Sequence, residues 1–459
     1  MNEAVHAPRL MLAAPASGAG KTTLVIALLR ALQEGNLRPA AFKCGPDYID
    51  PMFHREALGV SGYNLDLFLA DREIVRGLLA RGSRGADVSI VEGVMGYYDG
   101  VGDTMRASAW HVATETETPA VLVVRPKGAF LSVAALVKGF LDFRANSHLA
   151  GVILNGCAAA LHDKLAPVIE RETGLKVFGF MPEVPEARLS SRHLGLVTPE
   201  QVKSLDDKIA ALSENLRRGV DVAALLDLAR TAPPLVDRLP VLAPERPVRI
   251  AVARDAAFCF YYRENLEMLE ALGAETVFFS PLDNKRLPEN IGALYLGGGY
   301  PEMHAGSLSE NVLMRQSIAE AIAGGMPVLA ECGGFLYLQD DLQDRDGNAH
   351  PMCGAVPGSG LKGERLGRFG YIELSALEEG LLGSEGTRLR GHEFHYWNSS
   401  DCGTAFRAEK ASGGAGWTCC HSSPTLFAGF PHLYFWSNPD AARSFVKAAV
   451  RYRDTGRRT

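Results

Sequence analysis

The stretch that most limits what this chain can fold into is Ala14-Pro15-Ala16-Ser17-Gly18-Ala19-Gly20-Lys21-Thr22-Thr23. An apolar run, Leu10 to Ala13, leads into it, and Leu24 to Leu29 follows with apolar residues at helical spacing. Strand, glycine-rich turn and helix in that order are the context a phosphate-binding loop requires. Backbone N–H groups of Ser17, Gly18, Ala19, Gly20 and Lys21 would wrap a polyphosphate at the positive end of the helix. Lys21 would reach the outer phosphates and the Thr22 hydroxyl would ligate Mg²⁺, with Thr23 beside it. Pro15 stands where the usual pattern has its first glycine. A stray glycine-lysine-threonine turn is the bland alternative, and the flanking strand and helix argue against it. The expectation is an ATP-type nucleotide site.

A chain of 459 residues is too long for one ordinary core, so two domains are expected. With 22% charged residues and a net charge of −6, the sequence offers no basic surface for nucleic acid or anionic membrane. Met1 to Arg9 carries no secretory pattern, and no apolar run is long enough to span a bilayer. The eight cysteines include no C-x-x-C pair, which reads as a reduced, cytoplasmic protein. Cys419-Cys420-His421 has poor spacing for a structural zinc.

From Leu10 to about Pro182, short β-branched runs alternate with amphipathic stretches: Arg38–Lys43, Val88–Val91, Ala120–Val124, Gly151–Leu154 and Val177–Phe180. The rhythm predicts a mostly parallel sheet with helices on both faces. Ligands of such sheets gather at the carboxyl ends of the strands, and the polar motifs lie there. Lys43-Cys44-Gly45-Pro46-Asp47-Tyr48-Ile49-Asp50 offers two carboxylates that could hold Mg²⁺ or orient a substrate, or form a turn closed by aspartate. Glu92, ending a buried strand, is a candidate Mg²⁺ ligand, with Asp99-Gly100 close behind. Asn155 could read an adenine edge, or belong to an Asn-Gly turn. Arg192-His193 suits an anionic substrate, although a solvated basic pair would look the same. A helical segment is expected over Pro199–Arg230. Prolines from Pro233 to Pro247 then mark a linker. The expected boundaries are 1–232 for the P-loop domain, 233–247 for the linker and 248–459 for the second domain.

The second domain alternates again from Val248. One strand runs into Gly297-Gly298-Gly299-Tyr300-Pro301-Glu302, and the next ends in Glu331-Cys332-Gly333-Gly334. A cysteine between a strand and a glycine pair is placed like a nucleophile elbow, with the N–H of Gly333 available to an oxyanion. Gly298 and Gly299 offer further donors, since glycine lets a ligand approach the backbone closely. Further along, His432 supplies the base such a cysteine needs. Gly391-His392-Glu393-Phe394-His395 is a polar strand that could line the site.

Taken together, Lys43–His54, Val91–Gly100, Ser191–Leu196, Gly297–Glu302, Gly391–Tyr396 and Gly429–Asn438 resemble the cobyrinic acid a,c-diamide synthase family over essentially the whole chain. The first half resembles dethiobiotin-synthetase-like ATPases, and the second resembles class I glutamine amidotransferase domains of the cobyric acid synthase type. The resemblance implies an α/β fold of two domains: a P-loop, mostly parallel sheet and an amidotransferase-like α/β domain. It implies that ATP binds at Gly18, Gly20, Lys21 and Thr22. Mg²⁺ would be held by Thr22, Asp47 and Glu92. Lys43, Asp47, Tyr48, Asp50, Asp99, Arg192 and His193, with Lys127, would serve a corrinoid carboxylate substrate. Cys332 would be the glutaminase nucleophile and His432 its base. The acid usual two places after that histidine is Tyr434 here. The resemblance therefore implies a Cys–His dyad, with Glu393 or a backbone carbonyl left as ways of orienting the imidazole.

The implied reaction is ATP- and glutamine-dependent amidation of the a and c acetates of cobyrinic acid through acyl phosphates. Hydrogenobyrinic acid and nickel-sirohydrochlorin are alternative rings. A P-loop regulatory ATPase with a partner-binding second domain, and a ligase using only free ammonia, are the other readings. A homodimer is compatible with all of them.

Overall fold

The structure is a computed structural model that describes residues 4–60, 62–187, 191–192, 195–196, 204–364 and 366–455. The chain divides into two compact units, Met1–Leu239 and Pro240–Thr459.

The first unit is built on seven strands: β1 (Arg9–Ala13), β2 (Pro39–Cys44), β3 (Asn64–Leu65), β4 (Val88–Glu92), β5 (Ala120–Val124), β6 (Leu149–Asn155) and β7 (Lys176–Met181). They lie in the order β3-β2-β4-β1-β5-β6-β7, all parallel. Strands β1, β4 and β5 are buried along their whole length. Both sheet faces are covered, so these strands are near-continuous apolar runs without alternation. The expected runs match these strands to within two residues at each end. The short edge strand β3 was not anticipated.

Arg9 is the exception inside β1: a fully buried guanidinium. It donates to Thr118 Oγ1 and to the carbonyls of Ala7, Thr116, Glu117 and Pro233, five acceptors for five N–H groups. Every direction in which the group can donate is thus answered by protein, which is the condition for burying a charge. The Pro233 bond ties the end of the unit back to its first full strand.

The expected helical segment over Pro199–Arg230 is two helices among the described residues, Leu205–Gly219 and Val222–Arg230. Val220 adopts an extended conformation between them, and the Asp221 carboxylate accepts from Ala224 N at 2.9 Å to start the second. Leu235–Val236 then pairs antiparallel with Ala4–Val5.

Among the described residues the second unit contains two large sheets, beside a four-stranded and a two-stranded one. The first comprises β8 (Val248–Ala253), β9 (Ala274–Phe279), β10 (Ala293–Leu296) and β11 (Val328–Glu331), followed much later by His421–Ser423 and Leu426–Gly429. Its order is β9-β8-β10-β11, then Leu426–Gly429, then His421–Ser423, and only that last edge strand is antiparallel. The second sheet is antiparallel: Trp417–Cys419, Phe406–Lys410, Phe369–Ala376, Arg388–Phe394 and His432–Leu433, in that order. In the core of this unit Phe258 packs against Tyr337, and Phe335 packs edge-on against Phe430. Among the described residues, no helix is long and apolar enough to cross a membrane.

Candidate active sites

In the first unit the loop after β1 turns on Gly18 and Gly20, with φ of 77° and 87°. These left-handed values suit glycine and strain other residues. Helix α1 (Lys21–Glu34) starts directly afterwards, with Gly20 at its N-cap and no acidic residue in its first turn. Its orphan N–H groups and positive dipole end are left facing the loop, as an anion site needs. Ser17 and Gly18 are exposed; Ala19, Thr22 and Thr23 are half-buried. Asn155, at the end of β6, donates from Nδ2 to Ala19 O at 2.7 Å. The side-chain amide of the residue expected to read a base thus also braces the loop.

Across from the loop, the ends of β2 and β4 bring charged groups together. Lys43 Nζ lies 2.6 Å from Asp50 Oδ2, 3.1 Å from Glu92 Oε1 and 3.8 Å from Asp47 Oδ2. Thr22 Oγ1 donates to Glu92 Oε1 at 2.5 Å and stands 3.4 Å from Asp50 Oδ2. Lys21 Nζ donates to Met95 O at 2.6 Å. His54, for which no role was expected, places Nε2 3.6 Å from Glu92 Oε2.

Burial, then the neighbouring Asp50, raises Glu92 to about 8. Burial and Asp50 likewise raise Asp47 to about 6. Burial would pull Lys43 down, but Asp50, Glu92 and Asp47 outweigh it and hold the ammonium well above its usual range. Burial would raise Asp50, and Lys43 more than reverses this. Burial and the nearby Lys43 lower Lys21 to about 8, and burial lowers His54 to about 4. Two ammonium groups, Lys21 and Lys43, thus face three carboxyl groups, Asp47, Asp50 and Glu92, and burial favours the protonated form most at Glu92.

The two carboxylates expected at this loop, Asp47 and Asp50, are placed differently. Asp47 spends Oδ1 on the amide groups of Ile49 and Asp50, starting α2 (Ile49–Leu58), so it behaves as the turn aspartate. Asp50 is the carboxylate that approaches Thr22. The oxygens of Thr22, Asp50 and Glu92 converge and have the hard-donor chemistry a divalent ion prefers. Among the described residues, no group of three or more His, Cys, Asp or Glu side chains is spaced to hold a metal by itself. Phosphate oxygens and water would have to complete the shell. Asp99 also closes a turn, accepting from Gly96 N at 3.0 Å. Tyr48 is half-buried beside Asp47. Ser191–Arg192 and Gly195–Leu196 form a two-residue antiparallel ladder. His193 and the side chain of Arg192 lie outside the described residues.

In the second unit the strand β11 ends at Glu331, and Cys332 follows with φ 47° and ψ −101°. A non-glycine residue in this region carries strain of about 1–3 kcal/mol, the kind found where a turn forces a nucleophile outward. The turn is held by Cys332 N donating to Gly429 O at 2.7 Å and Gly334 N donating to Gly297 O at 3.0 Å. The short helix Gly333–Leu338 begins immediately after. Burial, then Glu302, pushes the thiol well up; the Gly333 amide beside the sulfur works in the opposite direction.

A Cβ on Gly333 would stand 3.1 Å from Gly299 N, so these two backbone amides are neighbours at the turn. At Gly298 the absent side chain matters too. A Cβ there would meet His432 Cε1 at 2.3 Å, so the missing side chain is the space the imidazole occupies. His432 is buried, opposite His392 in the ladder. Burial, with His392 and His395 nearby, lowers it to about 3. It rests as a neutral base.

The Glu331 carboxyl is fully enclosed: Oε1 accepts from Leu433 N at 3.0 Å, Oε2 accepts from Tyr295 OH at 3.0 Å, and Oε2 lies 3.9 Å from His432 Nδ1. Tyr434 donates its hydroxyl to Glu264 at 3.0 Å and sits edge-on to Tyr262. Glu393, buried and with neither carboxylate oxygen hydrogen-bonded among the described residues, is 4.0 Å from His395 Nε2.

Fold and sites together define a nucleotide-binding P-loop unit joined in one chain to a cysteine amidotransferase unit. Residues 10–197 match the CobQ/CobB/MinD/ParA nucleotide binding domain, and residues 249–440 match the CobB/CobQ-like glutamine amidotransferase domain. The cobyrinate a,c-diamide synthase of Caldanaerobacter subterraneus subsp. tengcongensis is 39% identical over 95% of this chain and 97% of that protein. The enzyme of the same name from Dehalococcoides mccartyi is 37% identical over 96% of this chain and 98% of its own length. That from Thermoplasma volcanium is 39% identical over 97% and 98%. The chain belongs to the cobyrinate a,c-diamide synthase family.

Proposed function

We propose that the chain amidates the a and c acetate carboxylates of cobyrinic acid, using ATP, Mg²⁺ and glutamine. The observation that carries this reading is the strained Cys332 with a buried histidine base, in the same chain as a P-loop facing a lysine–carboxylate cradle. One site suits amide hydrolysis and the other suits phosphoryl transfer to a carboxylate. The full-length likeness to enzymes named cobyrinate a,c-diamide synthase supports the choice of ring.

A carboxylate is a poor electrophile. Transfer of the γ-phosphoryl group of ATP to a substrate oxygen makes an acyl phosphate, with Lys21 beside the moving charge. Mg²⁺, held by Thr22, Asp50 and Glu92, would neutralise phosphate charge when bound. Ser17, Gly18, Ala19, Gly20 and Thr23 hold the phosphates, and Asn155 keeps the loop in shape. Lys43, released from Asp50, would orient the substrate carboxylate. Arg192 and His193 would add positive charge for a ring bearing many carboxylates.

In the second unit Cys332 attacks the side-chain carbonyl of glutamine. The amides of Gly333 and Gly299 stabilise the oxyanion, and ammonia leaves with the proton that His432 took from the thiol. Water then cleaves the thioester to glutamate. Ammonia attacks the acyl phosphate, phosphate leaves, and an amide remains.

Mass spectrometry of product, with cobyrinic acid, hydrogenobyrinic acid and nickel-sirohydrochlorin offered separately, tests the reading. The expected result is a loss of about two mass units on cobyrinic acid alone, one for each carboxyl-to-amide exchange. A change on another ring would reassign the substrate, and no change on any would remove the ligase reading. Cys332→Ala should abolish glutamine-dependent product and retain ammonia-dependent product; equal loss of both would refute the division of chemistry between units.

A further inference from the structure

The amidotransferase base is a histidine whose following acid position is filled by Tyr434, and that tyrosine is turned away, hydrogen-bonded to Glu264. We propose that Glu331 is the positioning residue for His432: its carboxyl holds the Nδ1 side of the imidazole and leaves Nε2 to take the proton of Cys332. The proposal rests on reading Cys332 and His432 as nucleophile and base.

The geometry comes from two chain segments meeting at one carboxyl group. Glu331 is the last residue of β11, so its backbone leads directly into the strained nucleophile. Its Oε1 fixes the amide of Leu433, the residue after the base, and its Oε2 lies 3.9 Å from Nδ1. A single enclosed side chain therefore refers the position of the base to that of the nucleophile. The other titratable groups facing His432 are His392 and His395, which burial holds neutral by lowering each to about 4. Neither can supply negative charge. The groups facing Glu331 are Tyr295, Tyr261, Cys332 and His432, and burial keeps both tyrosines protonated.

Burial also raises Glu331 to about 8, against the opposing hydrogen bonds from Leu433 and Tyr295. At neutral pH carboxyl and imidazole are both uncharged. When His432 accepts the thiol proton it becomes an imidazolium, and an ionised Glu331 is the group placed to stabilise it. Glutamate release should therefore rise with pH as Glu331 loses its proton.

Glu331→Gln separates this role from a structural one. Glutamine has the same shape, and its carbonyl accepts from Leu433 N equally well, but it cannot ionise. The measurement is glutamate release from the full-length enzyme between about pH 6 and 9.5, a range that spans the unperturbed and shifted values. Ammonia-driven amidation, read in parallel, reports the other unit. The expected result is a fall in kcat on the order of 100-fold or more, little change in KM for glutamine, loss of the rising limb, and normal ammonia-driven amidation. A Glu331→Gln enzyme with wild-type kcat and pH profile would overturn the proposal. Should that variant not fold, Tyr295→Phe carries the test. Removing the hydroxyl bond takes away a group that favours the ionised carboxyl, so the rising limb should move to higher pH; an unmoved limb overturns the proposal. Cys332→Ala and His432→Asn distinguish the two levels. If both lose glutamate release while Glu331→Gln keeps it, the positioning role alone fails. If Cys332→Ala still releases glutamate, the reading beneath it fails as well.

Discussion

Gly298 shows how a residue with no side chain can govern one that has chemistry. The imidazole of His432 fills the volume where a Cβ would lie, and the ring is enclosed on its remaining sides. Gly298→Ala should displace the base by about an ångström and lower glutamate release by roughly 100-fold, with ammonia-driven amidation unchanged. Steady-state assays with the two nitrogen sources check this. Lys21 makes a second prediction. Burial and Lys43 hold it near 8 in the free protein, and a triphosphate laid against it would restore its usual high value. At about pH 8.5 nucleotide binding should then take up protons. Calorimetry in buffers of different ionisation enthalpy measures that uptake, and proton release would contradict it. Such residues differ in how far the sequence announces them. Lys21, Thr22 and Cys332 stand in local patterns that imply their chemistry. Asp50 and Asp47 look equivalent on paper, and only the start of α2 decides which becomes a turn residue. His54 and Glu331 gain their places from segments about forty and a hundred positions away, so no local spacing could reveal them.

At the scale of elements, the turn at Cys332 stores strain that a different residue would release. Glycine adopts φ near 47° without penalty, whereas alanine keeps the strain. Cys332→Gly should therefore be more stable than Cys332→Ala by about 1 kcal/mol, the reverse of the usual order, although neither can use glutamine. Paired thermal melts test this. The parallel sheet of the first unit was legible because its central strands are buried on both faces and read as continuous apolar runs. Strand β3 escaped because two residues carry no periodicity. Arg9 was unreadable as core for another reason: charge predicts exposure unless partners are known, and its partners come from distant turns and from Pro233.

For the whole molecule, buried titrating groups give the second unit a distinctive response to pH. Glu302, Glu331 and Glu393 are raised by burial to about 7, about 8 and about 7. The folded state keeps protons that the unfolded chain gives up, so their contribution is full below about pH 4.5 and is lost as pH rises through 7 to 8. His392, His395 and His432 are lowered by burial to about 4, 4 and 3. Their contribution is present above about 6.5 and is lost as pH falls through 4 to 3. Between those limits the two sets largely offset each other. Calorimetric melts should show a broad optimum near pH 5 to 6.5 and a Tm several degrees lower by about pH 9; a Tm still flat at that pH would contradict it.

The connection between the units carries a consequence of its own. Up to Leu239 the chain is bound into the first unit through Arg9 and the pairing with Ala4–Val5. From Ala243 onward it is bound into the second, through Arg443 and Leu272. Pro240, Val241 and Leu242 make no hydrogen bond among the described residues, and Val241 is 98% exposed. A protease with a taste for valine should nick there first. Because the cut would fall outside the hydrogen bonds that bind each flank into its own unit, each half should keep its own fold after it, as two separately encoded chains also would.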